Sequence, residues 1–176
     1  GVIRSCISPA QRVARCVRVT YDSTVLYDDM SNGGGIACDI ENAIRMDADC
    51  MAVQTFIGAP GESRSLELLA RTADAGTRYG IPTLGVVAVG KEMERTEKFF
   101  LLATRVLAEN GANIVKSYYC DGFQRVAAAC PVPIVIAGGK KLPELEALEM
   151  AYRAISDGAH GVDMGRNIFQ SDCPAG

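Results

Sequence analysis

Short apolar runs alternate along the chain with longer amphipathic stretches. Cys50–Ile57 (CMAVQTFI), Pro82–Val89 (PTLGVVAV), Asn113–Tyr119 (NIVKSYY) and Val132–Ala137 (VPIVIA) are continuous apolar runs bounded by turn residues. Runs of that length predict strands, and their lack of alternation predicts strands covered on both faces. Arg12–Thr20 (RVARCVRVT) alternates well enough for a further strand, and Gly161–Gly165 (GVDMG) reads as a short last one. The intervening stretches carry helical spacing. Asp39 can cap a helix through Met46 with Ile40, Ala43 and Ile44 on one face. Pro60-Gly61 introduces a helix whose Leu66, Leu69, Ala70 and Ala73 share a face, and Gly76 or Gly80 ends it. Lys91–Asn110 is the clearest helix, with Phe99, Ala103, Val106 and Leu107 as its stripe and Gly111 as its stop. Phe123, Val126 and Ala127 mark another. Pro143 suits the first turn of a helix that Leu145, Leu148, Tyr152 and Ile155 continue and Gly158 closes.

Strand and helix thus alternate at about the 30 residues of a βαβ unit. The pattern predicts an α/β fold with a parallel sheet and right-handed crossovers. An open dinucleotide-binding sheet would place G-x-G-x-x-G after its first strand, and no such motif is present. Glycine and basic residues instead follow the last two strands, at Gly138-Gly139-Lys140 and Gly165-Arg166. In (β/α)8 barrels a phosphate is often held by the loops after strands seven and eight, which favours a barrel. Only about six strands are legible, against the eight strands and ~250 residues of a typical barrel. The expectation is therefore one domain over residues 1–176: an incomplete (β/α)8 TIM barrel, too short for the full ring.

Bulk composition narrows the function classes. The chain has 176 residues, 48% hydrophobic and 22% charged, with a formal net charge of -3. That balance fits a globular protein with a proper core and gives no general attraction to nucleic acid or acidic membranes. No apolar run approaches the ~20 residues of a membrane span, and no signal peptide opens the sequence. The seven cysteines are odd in number, irregularly spaced and without a C-x-x-C pair. They read as small core residues in a reducing compartment, and the expected location is the cytoplasm. With His160 as the single histidine, a Cys/His zinc site and a Ser-His-Asp machine both lack material, so no metal is expected.

The residue that stands out is Lys116, inside the apolar run Asn113–Tyr119. Lysine is almost never fully buried without a reason. A buried amine loses part of its proton affinity and becomes a nucleophile at neutral pH. The alternative is a packed stem with the amine snorkelling to water. Gly138 and Gly139 would let backbone N–H groups approach a phosphate, with Lys140 and the next helix start adding charge. Arg166 could grip phosphate oxygens in a bidentate fashion. Asp163 could position an amine or a water, or satisfy a neighbouring cation. Lys91 is a further candidate on the same side. Tyr118 and Tyr119 could donate a proton, though core packing suits them better. His160 precedes the last strand and reads as structural or exposed. The glycine run Asn32–Gly35 reads as a plain loop.

Val132–Glu144 (VPIVIAGGKKLPE), Glu146–Met150 and Gly161–Asp172 (GVDMGRNIFQSD) closely resemble class I aldolases of the DeoC/DhnA type, and Phe99–Arg105 and Ile114–Tyr119 extend the likeness to essentially the whole chain. The resemblance implies a (β/α)8 barrel with a Schiff-base lysine at Lys116. It also implies phosphate-binding positions at Gly138, Gly139, Lys140, Gly165 and Arg166, no cofactor, and assembly into homo-oligomeric rings. Relatives carry an Asp-His-Gly motif on their first strand, and the resemblance implies that this strand and the last barrel helix lie outside the present stretch. Archaeal-type fructose-bisphosphate aldolases of this group use a tyrosine on strand five. Thr83–Val89 has none, which tilts the expectation towards a thiolase-like branch acting on phosphorylated autoinducer-2 with coenzyme A as co-substrate. Three outcomes stand: a Schiff-base enzyme passing acetyl from a short phosphorylated ketone or dione to coenzyme A, a fructose-bisphosphate-type aldolase, or an inactive partial barrel. None calls for nucleic acid or a membrane as a partner.

Overall fold

The computed structural model describes residues 3, 7–8, 13–22, 26, 34–89 and 93–174. Arg12, Asn32, Gly33 and Lys91, each invoked above, lie outside the described residues. In chain order the elements are β1 (Cys16–Arg18), β2 (Thr20–Tyr21), β3 (Gly35–Ile36), α1 (Ile40–Arg45), β4 (Cys50–Thr55), α2 (Glu62–Tyr79), β5 (Thr83–Val87), α3 (Glu97–Glu109), β6 (Ile114–Tyr118), α4 (Phe123–Ala129), β7 (Ile134–Ala137), α5 (Glu144–Ser156), β8 (Gly161–Asp163) and α6 (Gly165–Phe169). Six strands form one sheet in the order β1-β4-β5-β6-β7-β8, every pair parallel. Each connection from β4 onward is a helix. This is the incomplete barrel architecture expected from the apolar rhythm.

The sheet separates core from site by alternation, because successive side chains on a strand point to opposite faces. Met51 and Val53 of β4, Val87 of β5, Val115 of β6 and Ile134 and Ile136 of β7 are buried together with Leu69, Phe100, Leu107, Phe123 and Val126 from the helices. The residues between them face the other way. Register rows on that second face run Gln54–Val86–Lys116–Val135–Gly161 and, one step nearer the C-terminal ends, Tyr118–Ala137–Asp163. The helices approach closely where the sheet permits it. A Cβ built on Gly85 would lie 2.9 Å from Leu107 Cδ2, so α3 seats on β5 only because that position has no side chain.

Three local details differ from expectation. The Arg12–Thr20 stretch contributes only Cys16–Arg18 to the main sheet. At Val19 the backbone changes partners: its N–H donates to Ala52 O, while its carbonyl accepts from Ala37. Thr20–Tyr21 then pairs antiparallel with Gly35–Ile36. The helix expected from Lys91 begins at Glu97, because Thr96 takes the N-cap and its hydroxyl accepts from Phe99 N–H at 3.3 Å. On α5, Ala147 and Ala154 are the buried residues, while Leu145, Leu148 and Tyr152 stand exposed. The larger stripe of that helix thus turns outward. Among the described residues no helix is long and apolar enough to cross a membrane.

Candidate active site

β6 carries Lys116 between two buried positions, Val115 and Ser117, so its side chain is directed to the face opposite the helices. The side chain is 22% exposed. Its amine is thus partly screened from solvent rather than sealed in a dry core. It donates a 2.7 Å hydrogen bond to Asp163 Oδ2 of β8. The bond passes over β7, which presents Val135 and Ala137 on this face. Asp163 is thus the carboxylate partner of Lys116, which fits both positioning the amine and balancing its charge.

Above the strand ends lies a cavity of about 660 Å3, walled by Tyr118, Ala137, Gly138, Gly139 and Lys140 among others. That volume suits a small organic ligand. Tyr118 lies two residues beyond Lys116 on β6, which links this cavity to the strand that carries the amine; Lys116 and Asp163 are not themselves in its wall. Arg95 closes the opposite wall, its guanidinium 4.4 Å above the Tyr118 ring centroid. This cation–π contact orients the guanidinium without neutralising it. Arg95 Nη1 lies 3.9 Å from where a Cβ on Gly139 would be. Among the described residues neither Arg95 nor Lys140 is ion-paired with a carboxylate. The cavity therefore joins glycine backbone to two uncommitted cations, a combination suited to an anion.

Gly165 and Arg166 are not part of that wall. They open α6, directly after β8, and both are exposed. Asn167 ties this turn to the glycine loop. Its Nδ2 donates to Gly138 O at 3.0 Å, and its Oδ1 accepts from Leu142 N at 2.7 Å. The approach is tight: a Cβ on Gly138 would lie 2.5 Å from Asn167 Nδ2 and 2.9 Å from Met164 Cβ. Gly138→Ala should therefore overpack this junction at a cost of about 1–3 kcal/mol. A chemical-denaturation midpoint equal to that of the unsubstituted chain would show that the junction yields freely.

Tyr119 also lines the cavity. Its hydroxyl donates to Asp157 Oδ2 at 2.7 Å, and that bond with burial raises the phenol above its ordinary range. His160 is exposed, and its N–H donates to Ile134 O at 2.8 Å. Among the described residues no group of three or more metal-ligating side chains is assembled. Sequence reading missed Arg95 and Asn167. Arg95 falls in a charged stretch that reads as the first turn of the Lys91 helix, while Asn167 sits inside a short helix; only the fold brings either to the glycine loop.

Comparison with known proteins follows the same lines. The profile of the DeoC/LacD family aldolases matches residues 11–171. An uncharacterized aldolase of Pasteurella multocida is 51% identical over 175 residues, covering 99% of this chain and 60% of the relative. A 3-hydroxy-5-phosphonooxypentane-2,4-dione thiolase of Yersinia pseudotuberculosis is 50% identical with the same coverage. The chain thus spans about 60% of the length of the curated relatives it matches. Among solved structures, a Schiff-base-forming fructose-1,6-bisphosphate aldolase superposes with a TM-score of 0.88 at 22% identity, covering 99% of this chain and 71% of that one. A fructose-bisphosphate aldolase from Slackia heliotrinireducens gives a TM-score of 0.77 at 19% identity, covering 92% and 57%.

Proposed function

Because the chain belongs to the DeoC/LacD family of aldolases, we propose that Lys116 forms a Schiff base with a short phosphorylated ketone or dione and that the resulting iminium drives cleavage of a carbon–carbon bond. The single observation that carries this reading is the Lys116–Asp163 pair at 2.7 Å, on a strand whose end, at Tyr118, reaches a cavity walled by glycine backbone and cations. Lys116 Nζ adds to the carbonyl carbon and gives a carbinolamine. Loss of water then leaves the protonated imine, an electron sink for the bond one carbon away. Asp163 is within reach to take a proton from the attacking amine and return one to the departing hydroxyl. Gly138, Gly139, Lys140 and Arg95 hold the phosphate, so the carbonyl is presented to Nζ rather than left to diffuse. Gly165 and Arg166 support that loop from the next turn through Asn167.

Half identity to proteins named as dione thiolases favours one version of the second half-reaction. The imine forms on the ketone nearer the phosphate. The thiol of coenzyme A adds to the other carbonyl, and the bond towards the imine breaks. An acetyl thioester leaves, and the electron pair moves into the iminium as an enamine. Protonation of that carbon and hydrolysis then free a phosphorylated hydroxyketone and restore Lys116. No metal or resident cofactor enters these steps. The aldolase version differs in releasing an aldehyde, and the chain would work as a homo-oligomer in the cytoplasm in either case.

Borohydride reduction in the presence of candidate phosphorylated ketones tests the reading. The expected product is substrate fixed to the peptide containing Lys116, and a folded chain that yields no adduct ends it. Acetyl-CoA formation separates the thiolase from the aldolase outcome. Asp163→Asn keeps the shape but removes the proton acceptor, so kcat should fall about 10²-fold with KM little changed. An unaltered kcat and pH profile would reduce Asp163 to a packing role.

A further inference from the structure

We infer that Cys16 and Cys50 form a reactive dithiol, a modification site that a peroxide-class oxidant converts to a disulfide across β1 and β4. The two residues are direct register partners on neighbouring parallel strands. Such strands run about 4.8 Å apart, and disulfides span Cα separations of about 4.4–6.8 Å. The next pair along, Val17 and Met51, is buried on the helix side. Cys16 and Cys50 therefore both turn to the opposite face, the one that carries Lys116. Cys16 is exposed and Cys50 half-buried, so a small oxidant reaches them.

The local electrostatics assign each sulfur a part. Hydrogen bonding to Cys50, with burial, pushes the Cys16 thiol well up. The same hydrogen bond from Cys16, helped by the backbone of Leu84, holds the Cys50 thiol down. Of the two sulfurs, Cys50 is thereby the favoured nucleophile. The charges of Lys116 and Asp163 both act on Cys16, so the dithiol and the candidate catalytic pair face one concavity. Cys120 and Cys130 differ: burial raises both, which suits inert core thiols.

The chemistry balances with the oxidant as the only co-reactant. The Cys50 thiolate attacks one peroxide oxygen, the O–O bond breaks, and the departing hydroxide takes a proton and leaves as water. Cys50 is then a sulfenic acid. The Cys16 sulfur attacks the Cys50 sulfur, the S–O bond breaks, and the Cys16 proton leaves with the hydroxide as a second water. Two electrons pass from the thiols to the peroxide. The product covalently ties the edge strand β1 to the strand beside it, and a dithiol reductant reverses it. This inference does not rest on the Schiff-base reading.

The test uses the reduced full-length protein, treated briefly with hydrogen peroxide at neutral pH and digested without reductant for mass spectrometry. The expected result is a linked Cys16–Cys50 peptide lighter than its two parts by two hydrogen atoms. The thermal midpoint should rise in the oxidised protein and revert with dithiothreitol. Cys16→Ser should accumulate a dimedone-reactive sulfenic acid at Cys50. Cys50→Ser should oxidise at Cys16 at least about tenfold more slowly, as a thiol without thiolate character does. Recovery of the two peptides unlinked from folded, oxidised wild type would overturn the inference, as would linkage of either cysteine to a different one.

Discussion

Lys116→Arg should abolish borohydride trapping and lower carbon–carbon cleavage by about a thousand-fold or more, the scale on which loss of a covalent nucleophile falls. Arginine is the informative replacement because it separates two roles. It keeps a cation opposite Asp163, which Lys116 now contacts at 2.7 Å. Its guanidinium stays protonated and cannot form an imine. A charge-only role for Lys116 would survive this change, and a nucleophilic role would not. Lys116→Met should be equally inactive and should also leave Asp163 without its partner. Trapped substrate on any other lysine of the Lys116→Arg protein would move the chemistry away from β6. Retained trapping in that variant combined with lost activity would show that the imine seen was adventitious.

Phe100→Ala should cost about 3–5 kcal/mol of stability, the range for removing a fully buried aromatic ring. Phe100 is 0% exposed in the middle of α3. Its ring packs edge-on to Phe99 with centroids 5.3 Å apart and tilts against Tyr118 at 6.2 Å. Folded domains hold only about 5–15 kcal/mol in total, so the loss would bring the chain close to its unfolding threshold. A urea midpoint shift with unchanged slope reads it directly. Phe100 also backs the ring that carries Arg95. Substrate binding should therefore weaken in whatever fraction remains folded. A loss below about 1 kcal/mol would mean that the core is not assembled around this ring.

Much of this arrangement could be read from residue order, and the remainder shows what one dimension conceals. Lys116 stood out because a lysine interrupts an apolar run, and Gly138-Gly139-Lys140 and Gly165-Arg166 stood out because glycine and basic residues punctuate strand ends. Both signals are local. Asp163 was visible as a candidate, but its bond to Lys116 spans 47 positions and depends on β7 lying between. Arg95 belongs to a charged stretch that reads as a first helical turn until Thr96 takes the cap. The cysteines looked like unrelated core residues, because nothing in their spacing announces that β1 and β4 are neighbours in register. The α5 stripe misleads differently. Leucine spacing marks a face but not which way it turns, and here the buried positions are Ala147 and Ala154.

One consequence follows from the division of each strand into a helix-facing and an opposite-facing set. On β6, Val115 and Ser117 answer to packing, whereas Ile114, Lys116 and Tyr118 answer to whatever occupies the concavity. The two demands are interleaved along the same five residues yet hardly meet. Chemistry on this scaffold can therefore drift without loss of the fold, and the core can be rebuilt without moving the amine. A saturation library of β6 scored separately for abundance and for turnover would record this as two combs of intolerance, offset by one residue.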